Sequence, residues 1–213
     1  MSGGTRRYRS ELREAQAAET RSRVLRAAAE EFAAHGYTGT PLTAIARTAG
    51  VSVETVKLQG AKHELLLAAF EVTFSGRESR DPIANDDASR AILADTPPEE
   101  LPTTIASVVA DLNARASGLW MAVTGAATSD PAVRAGVEDL LERRRKDFAL
   151  IIEAFSRAGL IAPSADRTAL AAALSFLASP EGYQQLVVES GLSVEAYREW
   201  LATAIQRMVM DEE

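Results

Sequence analysis

The sequence predicts an all-α fold, and three observations carry that prediction. Wherever apolar residues recur, they recur with the helical period of 3.6. No stretch alternates apolar and polar residues as a half-buried strand does. The gaps between periodic stretches hold glycine, proline and Ser/Thr/Asp caps, the residues that start and stop helices.

Val24, Leu25, Ala28, Ala29 and Phe32 form the first stripe, and Gly36 stops that helix after His35. Thr40-Pro41 opens a second helix, with Thr40 as cap and Pro41 in the first helical position. It turns Leu42, Ile45, Ala46 and Ala49 inward and ends at Gly50. Ser52 caps a third, short helix that carries Val53, Val56 and Leu58 and breaks at Gly60. Lys62–Phe74 reads as a fourth, with Leu65, Leu66, Ala69, Phe70 and Val72. Residues 75–98 are loop chemistry (Gly76, Pro82, Asn85, Asp86, Pro97-Pro98) around a short helix at Ala88–Ala94. Leu101–Ala127 is a long apolar helix weakened at Gly118 and Gly125. Ser129-Asp130-Pro131 caps the next helix, which runs to Arg157 before Gly159. An alanine-rich helix follows at Ala165–Ala178, a short one from Ser179-Pro180 to Glu189, and a last one from the Ser193 cap to Met210.

Composition excludes several chemistries. The 213 residues contain no cysteine and two histidines, His35 and His63. A disulfide framework, an iron–sulfur cluster, a thiolate zinc site and a His-rich metal centre are all ruled out, and no cofactor is expected. Catalytic motifs are absent too. His63 and Glu64 are adjacent, so on a helix they diverge by about 100° and make a poor acid–base pair. His35 sits at a helix end as a cap, and the chain does not read as an enzyme. The first 13 residues lack the apolar core of a secretory signal. No apolar run approaches the ~18 residues of a membrane span. The expected location is the cytoplasm, with no membrane partner.

A net charge of −7 hides a split. Residues 1–65 carry ten basic and seven acidic residues, and residues 66–213 carry thirteen basic against twenty-three acidic. A basic head on an acidic body suggests that the head alone meets a polyanion. Two short helices joined by Ala49-Gly50-Val51-Ser52 form a helix-turn-helix. Ala46 permits close approach, Gly50 takes the left-handed turn without a Cβ penalty, and Val51 plugs the angle. Val56 faces the core, while Val53, Glu54 and Lys57 face outward. Such a second helix is the kind that enters a major groove.

The text T-R-S-R-V-L-R-A-A-A-E-E-F-A-A-H-G-Y (20–37), I-A-R-T-A-G-V-S-V-E-T-V (45–56) and G-A-K-H-E-L-L (60–66) resembles the DNA-binding domain of the tetracycline-repressor (TetR) family, over residues 21–70. S-P-E-G-Y-Q-Q-L-V-V-E-S-G-L-S-V-E-A-Y-R-E-W-L (179–201) is similar to C-terminal helices of the same family. Family members usually carry a tyrosine and a further aromatic after the Thr-Val of the recognition helix. This chain reads Lys57-Leu58-Gln59-Gly60 there. The resemblance implies three segments: a basic extension (1–20), a three-helix helix-turn-helix domain (21–66), and a larger helical effector and dimerisation domain (67–213).

By that resemblance Thr43, Val53, Glu54 and Lys57 face the DNA groove, and Thr55, Gln59 and Lys62 lie near phosphates, with Ser52 capping the helix. Chemistry agrees in part: Glu54 can accept from a cytosine amino group, Val53 can meet a thymine methyl, and Lys57 and Lys62 can meet phosphates. An acid in the first turn also stabilises the helix dipole without any DNA. Arg6, Arg7, Arg9 and Arg13 read either as a minor-groove arm or, the reading preferred here, as a solvated tail or the face of an extended first helix. The run Arg143-Arg144-Arg145-Lys146 reads as a solvated helix face.

In the body, the resemblance implies homodimerisation through the last two long helices. Leu170, Ala173, Leu174, Leu177, Trp200, Leu201, Ile205 and Met208 suit such an interface, the alternative being core packing. A small-molecule pocket would lie among the long helices. Its candidates are Asn113, Trp120, Met121, Thr124, Phe155, Phe176 and Tyr183, which combine apolar bulk with a few polar handles. Two readings result. One is a ligand-responsive regulator, most simply a repressor, that binds a palindromic double-stranded operator and is released by an apolar or amphipathic effector. The other is a small-molecule-binding protein whose DNA-binding head is degenerate.

Overall fold

In a computed structural model, residues 4–79 and 81–210 are described, and among them there is no strand. The order is α1 (Gly4–Gly39), α2 (Leu42–Ala49), α3 (Val53–Gln59), α4 (Lys62–Ser75), α5 (Asp87–Asp95), α6 (Leu101–Ala127), α7 (Pro131–Arg157), α8 (Arg167–Leu177), α9 (Pro180–Tyr183) and α10 (Val194–Met210). Gly118 and Gly125 do not interrupt α6.

Gly36 breaks α1 at φ 68°, ψ 175°, a conformation that glycine adopts without a Cβ clash. Beyond the break, Thr40 departs from the expected role. Its buried hydroxyl does not cap α2 but donates back to the carbonyls of Glu31 at 3.0 Å and Gly36 at 2.8 Å. Pro41 takes the cap position and α2 starts at Leu42. The threonine thus locks the end of α1 rather than the start of α2. Near the other end of the chain, α9 continues into a π-helical turn at Gln184–Glu189. The early part of the chain is helical from Gly4 onward. Arg13 is exposed, and the side chains of Arg6, Arg7 and Arg9 lie outside the described residues.

Two apolar cores share α6. The first joins Val24, Leu25, Ala28 and Phe32 of α1 with Ile45, Val56, Leu65, Leu66 and Phe70. It also includes Leu119, Trp120 and Val123 from the second half of α6, and Val133 of α7. The second gathers Leu101, Ile105 and Val109 from the first half of α6 with Phe148, Ile152 and Phe155 of α7. Leu174, Tyr183, Tyr197, Leu201 and Ile205 complete it. The head therefore packs on α6 through α1 and α4 and shares its apolar core with the body.

Candidate nucleic-acid interface and ligand cavity

The head is built as the turn chemistry requires. Gly50 is left-handed at φ 65° and closes α2, its N–H donating to Arg47 and the next residue's N–H to Ala46. The Ser52 hydroxyl accepts from the Thr55 N–H at 3.0 Å and so caps α3. Val56 is fully buried, which fixes the roll of α3. Thr43, Glu54 and Lys57 are then exposed, Val53 and Thr55 half-buried, along the outward face. Leu58 was expected inward, but it is 84% exposed. Val56 takes the single buried position of α3, and Leu58, two residues on, points away.

One side-chain contact ties the C-terminal end of α3 to α1. Arg21 of α1 donates to the Gln59 carbonyl at 2.8 Å and pairs with Glu78 at 2.5 Å. The Glu78 hydrogen bond comes first in raising the Arg21 pKa. At the start of α4 the Glu64 carboxylate accepts from the Ala61 N–H at 2.7 Å. Lys62 is not a free surface lysine: its Nζ lies 4.5 Å over the Tyr37 ring, and partial burial lowers its pKa. Behind the head, Glu31 is buried and accepts from the Thr48 hydroxyl at 2.5 Å, with His35 at 3.4 Å and Arg47 at 3.9 Å beside it.

The body contains a cavity of about 160 Å³ at the seam between the two cores. Phe70 and Trp120 of the first core meet Ile105, Val109 and Phe148 of the second there. Of the residues expected to line a pocket, Asn113 and Trp120 do so. The Asn113 amide donates to the Ala178 carbonyl at 3.2 Å and to the Tyr197 hydroxyl at 3.4 Å, and the Trp120 indole to Glu181 at 2.7 Å. The others lie elsewhere. Phe155 and Tyr183 are buried in the second core, Tyr183 edge-on to Tyr197. Met121 is 45% and Phe176 78% exposed, and the Thr124 hydroxyl donates to the carbonyl of Trp120 within its own helix.

The sequence reading missed the cavity's charged groups. In α7, Arg143, Arg144 and Asp147 all line the cavity, while Arg145 and Lys146 face outward beside Glu142. The run is thus half lining and half solvated face: Arg143 and Arg144 share a wide face with Asp147 and Phe148, three and four residues on, while Arg145 and Lys146 fall on the other side beside Glu142. The signal was there in Arg144, Phe148 and Ile151, a stripe at helical spacing. Burial pushes Asp147 up to about 6, against the pull of the Ala84 and Ile83 N–H groups.

The expected interface residues divide similarly. Leu174, Leu201 and Ile205 are fully buried inside the protomer and fill its own core. Leu170, Leu177 and Met208 pack half-buried against that core. Ala173, Phe176 and Trp200 are exposed on α8 and α10.

A helix-turn-helix packed on a larger helical body that encloses a cavity defines the class of DNA-binding transcriptional regulators. The family model described as bacterial regulatory proteins, tetR family, matches residues 24–59, the segment from α1 through the helix-turn-helix. No curated protein matches the chain. Among solved structures, one described as a tetR-family transcriptional regulator from Rhodococcus sp. is 22% identical with a TM-score of 0.69, covering 90% of this chain and 99% of its own. A transcriptional regulator from Saccharomonospora viridis, solved in complex with choline, is 23% identical with a TM-score of 0.66, covering 89% and 96%. These likenesses extend the shared fold to the body. Among the described residues no helix is long and apolar enough to cross a membrane, and no cluster of metal-ligating side chains occurs.

Proposed function

We propose that the chain is a ligand-responsive repressor, acting in the cytoplasm as a homodimer on a palindromic operator and released by a small apolar or amphipathic effector. One observation carries this reading: Phe70 belongs both to the helix-turn-helix core and to the cavity wall. A molecule in the cavity therefore presses on α4, which packs on α1, and α1 in turn packs on α2 and the reading helix α3. Occupancy that fits one placement of α4 better than another shifts the head between two spacings. Thr43, Val53, Glu54 and Lys57 would read the groove, and Ser52, Thr55, Gln59 and Lys62 would lie along the phosphates. The exposed Ala173, Phe176 and Trp200 would meet a second copy, giving two heads about one helical turn apart. The choline bound by the Saccharomonospora protein supports a small-molecule occupant for this fold.

The experiment is fluorescence polarisation against DNA flanking the chain's own gene, across a salt series. Tight, salt-sensitive binding to one palindromic fragment is expected, and its loss as cavity ligands are titrated in. Equal, weak binding to every fragment, persisting in a genome-wide selection, would overturn the regulator and leave a ligand-binding protein with a degenerate head.

A further inference from the structure

Three guanidinium groups line the cavity, and two of them are matched. Arg77 meets Asp86 at 3.2 Å. Arg143 meets Glu71 at 2.5 Å and Asp139 at 3.3 Å. Arg144 differs. It donates to the Ser175 carbonyl and lies 5.5 Å from the Phe148 ring centroid. Among the described residues no carboxylate comes within ion-pair distance of it. Glu181 acts on it only from farther away and is engaged by the Trp120 indole. Burial draws the Arg144 pKa down, the sign of a charge short of compensation.

The acids of the wall are occupied in turn. Glu71 holds Arg143, and Asp147 takes the Ala84 N–H at 2.7 Å. Asp81 lies exposed at the rim. A cationic ligand would find aromatic faces and one interior carboxylate, Asp147, already engaged by the backbone N–H groups of Ala84 and Ile83, and would face Arg144. An anion finds an unmatched guanidinium, whose planar fork suits a carboxylate, set among Phe70, Phe74, Ile105 and Val109.

We infer that the cavity takes an amphipathic carboxylate, its head paired with Arg144 and its apolar body lying against the seam between the two cores. The inference rests on the cavity being the effector site. The test is calorimetric titration of the full chain with three probes of matched length: octanoate, octan-1-ol and octyltrimethylammonium. Octanoate should bind roughly tenfold or more tighter than octan-1-ol, the ratio that one well-placed ion pair supports. The ammonium should bind weakest. Arg144→Gln should bring octanoate down to the level of octan-1-ol while leaving octan-1-ol unchanged. Unchanged octan-1-ol binding also shows that the variant is folded, and Arg144→Lys should restore part of the preference. Octan-1-ol or the ammonium binding as well as octanoate, or an octanoate preference that survives Arg144→Gln, would overturn the carboxylate and leave the cavity as a ligand site. Failure of all three probes would overturn both.

Discussion

The Tyr37 hydroxyl, at the end of α1, donates to Asp130 Oδ2 at 2.8 Å, and Asp130 is the residue that caps α7. The other carboxylate oxygen of Asp130 accepts from the N–H groups of Ala132 and Val133 at 2.9 and 3.3 Å. One side chain thus starts a body helix and holds the head. The Tyr37 bond comes first among the causes that keep Asp130 below the ordinary carboxylate value of 3.8. Burial, and then the same bond, push Tyr37 up to about 12.

The signs of these shifts fix a pH window. A depressed carboxylate contributes stability above its ordinary value and loses it as pH falls through the folded value. A raised tyrosine contributes below its ordinary value of 10.0 and loses it as pH rises through about 12. Tyr37→Phe keeps the ring that packs 6.0 Å from Phe32 and loses only the hydroxyl. Its melting temperature should fall below that of the native chain by a constant margin from about pH 4 to 10. The margin should shrink at both extremes, as thermal melts at several pH values would show.

Asp147 makes the opposite prediction. Its folded pKa is raised, so its contribution is fully present below 3.8 and is lost as pH rises through about 6. Asparagine in its place cannot ionise but can still accept from Ala84. Asp147→Asn should match the native chain near pH 4 and be the more stable at pH 7. The gain is at most about 3 kcal/mol, since one pKa unit is worth about 1.4 kcal/mol. Denaturant melts at the two pH values check it.

Along α3, structure and recognition should separate. Ser52→Ala removes the cap on the Thr55 N–H and should cost about 1 kcal/mol of stability. Lys57→Ala removes an exposed cation and should leave stability unchanged. It should weaken operator binding and reduce the slope of log affinity against log salt by about 1. Polarisation titrations at three salt concentrations distinguish the two variants.

The face of α8 gives a fourth prediction. Phe176 is 78% exposed, and Phe176→Glu should convert the proposed dimer to a stable monomer in analytical ultracentrifugation. Leu174, two residues away, is fully buried. Leu174→Ala should cost about 2–5 kcal/mol as an internal cavity.

Within residues 21–70 the turn between α2 and α3 was legible because local rules decide it. A capping serine, a left-handed glycine and a valine plug act within a few residues of one another. The cavity was harder to read because its walls come from helices far apart in sequence. Phe155 and Tyr183 have the character of pocket residues, but the packing of α7 on α8 and of α9 and α10 on α6 buries them. Leu201 and Ile205 fit a partner's surface or their own core equally well on periodicity, and the protomer claims both. Arg143 and Arg144 were hidden by their neighbours, since a run of four basic residues looks solvated until the helix divides it between two faces. Thr40 looked like a forward cap because Pro41 follows it, and only the break at Gly36 lets it reach back to Glu31.

The sharing of α6 between the two cores bears on how this molecule can be cut. A fragment ending near residue 75 would keep α1–α4 yet lose Leu119, Trp120, Val123 and Val133, leaving Phe70 without the indole 5.1 Å away. Such a fragment would expose a continuous apolar face and be prone to aggregation. The smallest autonomous reading head must extend through residue 133, and it then carries along the first half of α6, stripped of its own partners. Proteolysis should therefore release no stable short fragment, and the chain should melt as a single cooperative unit.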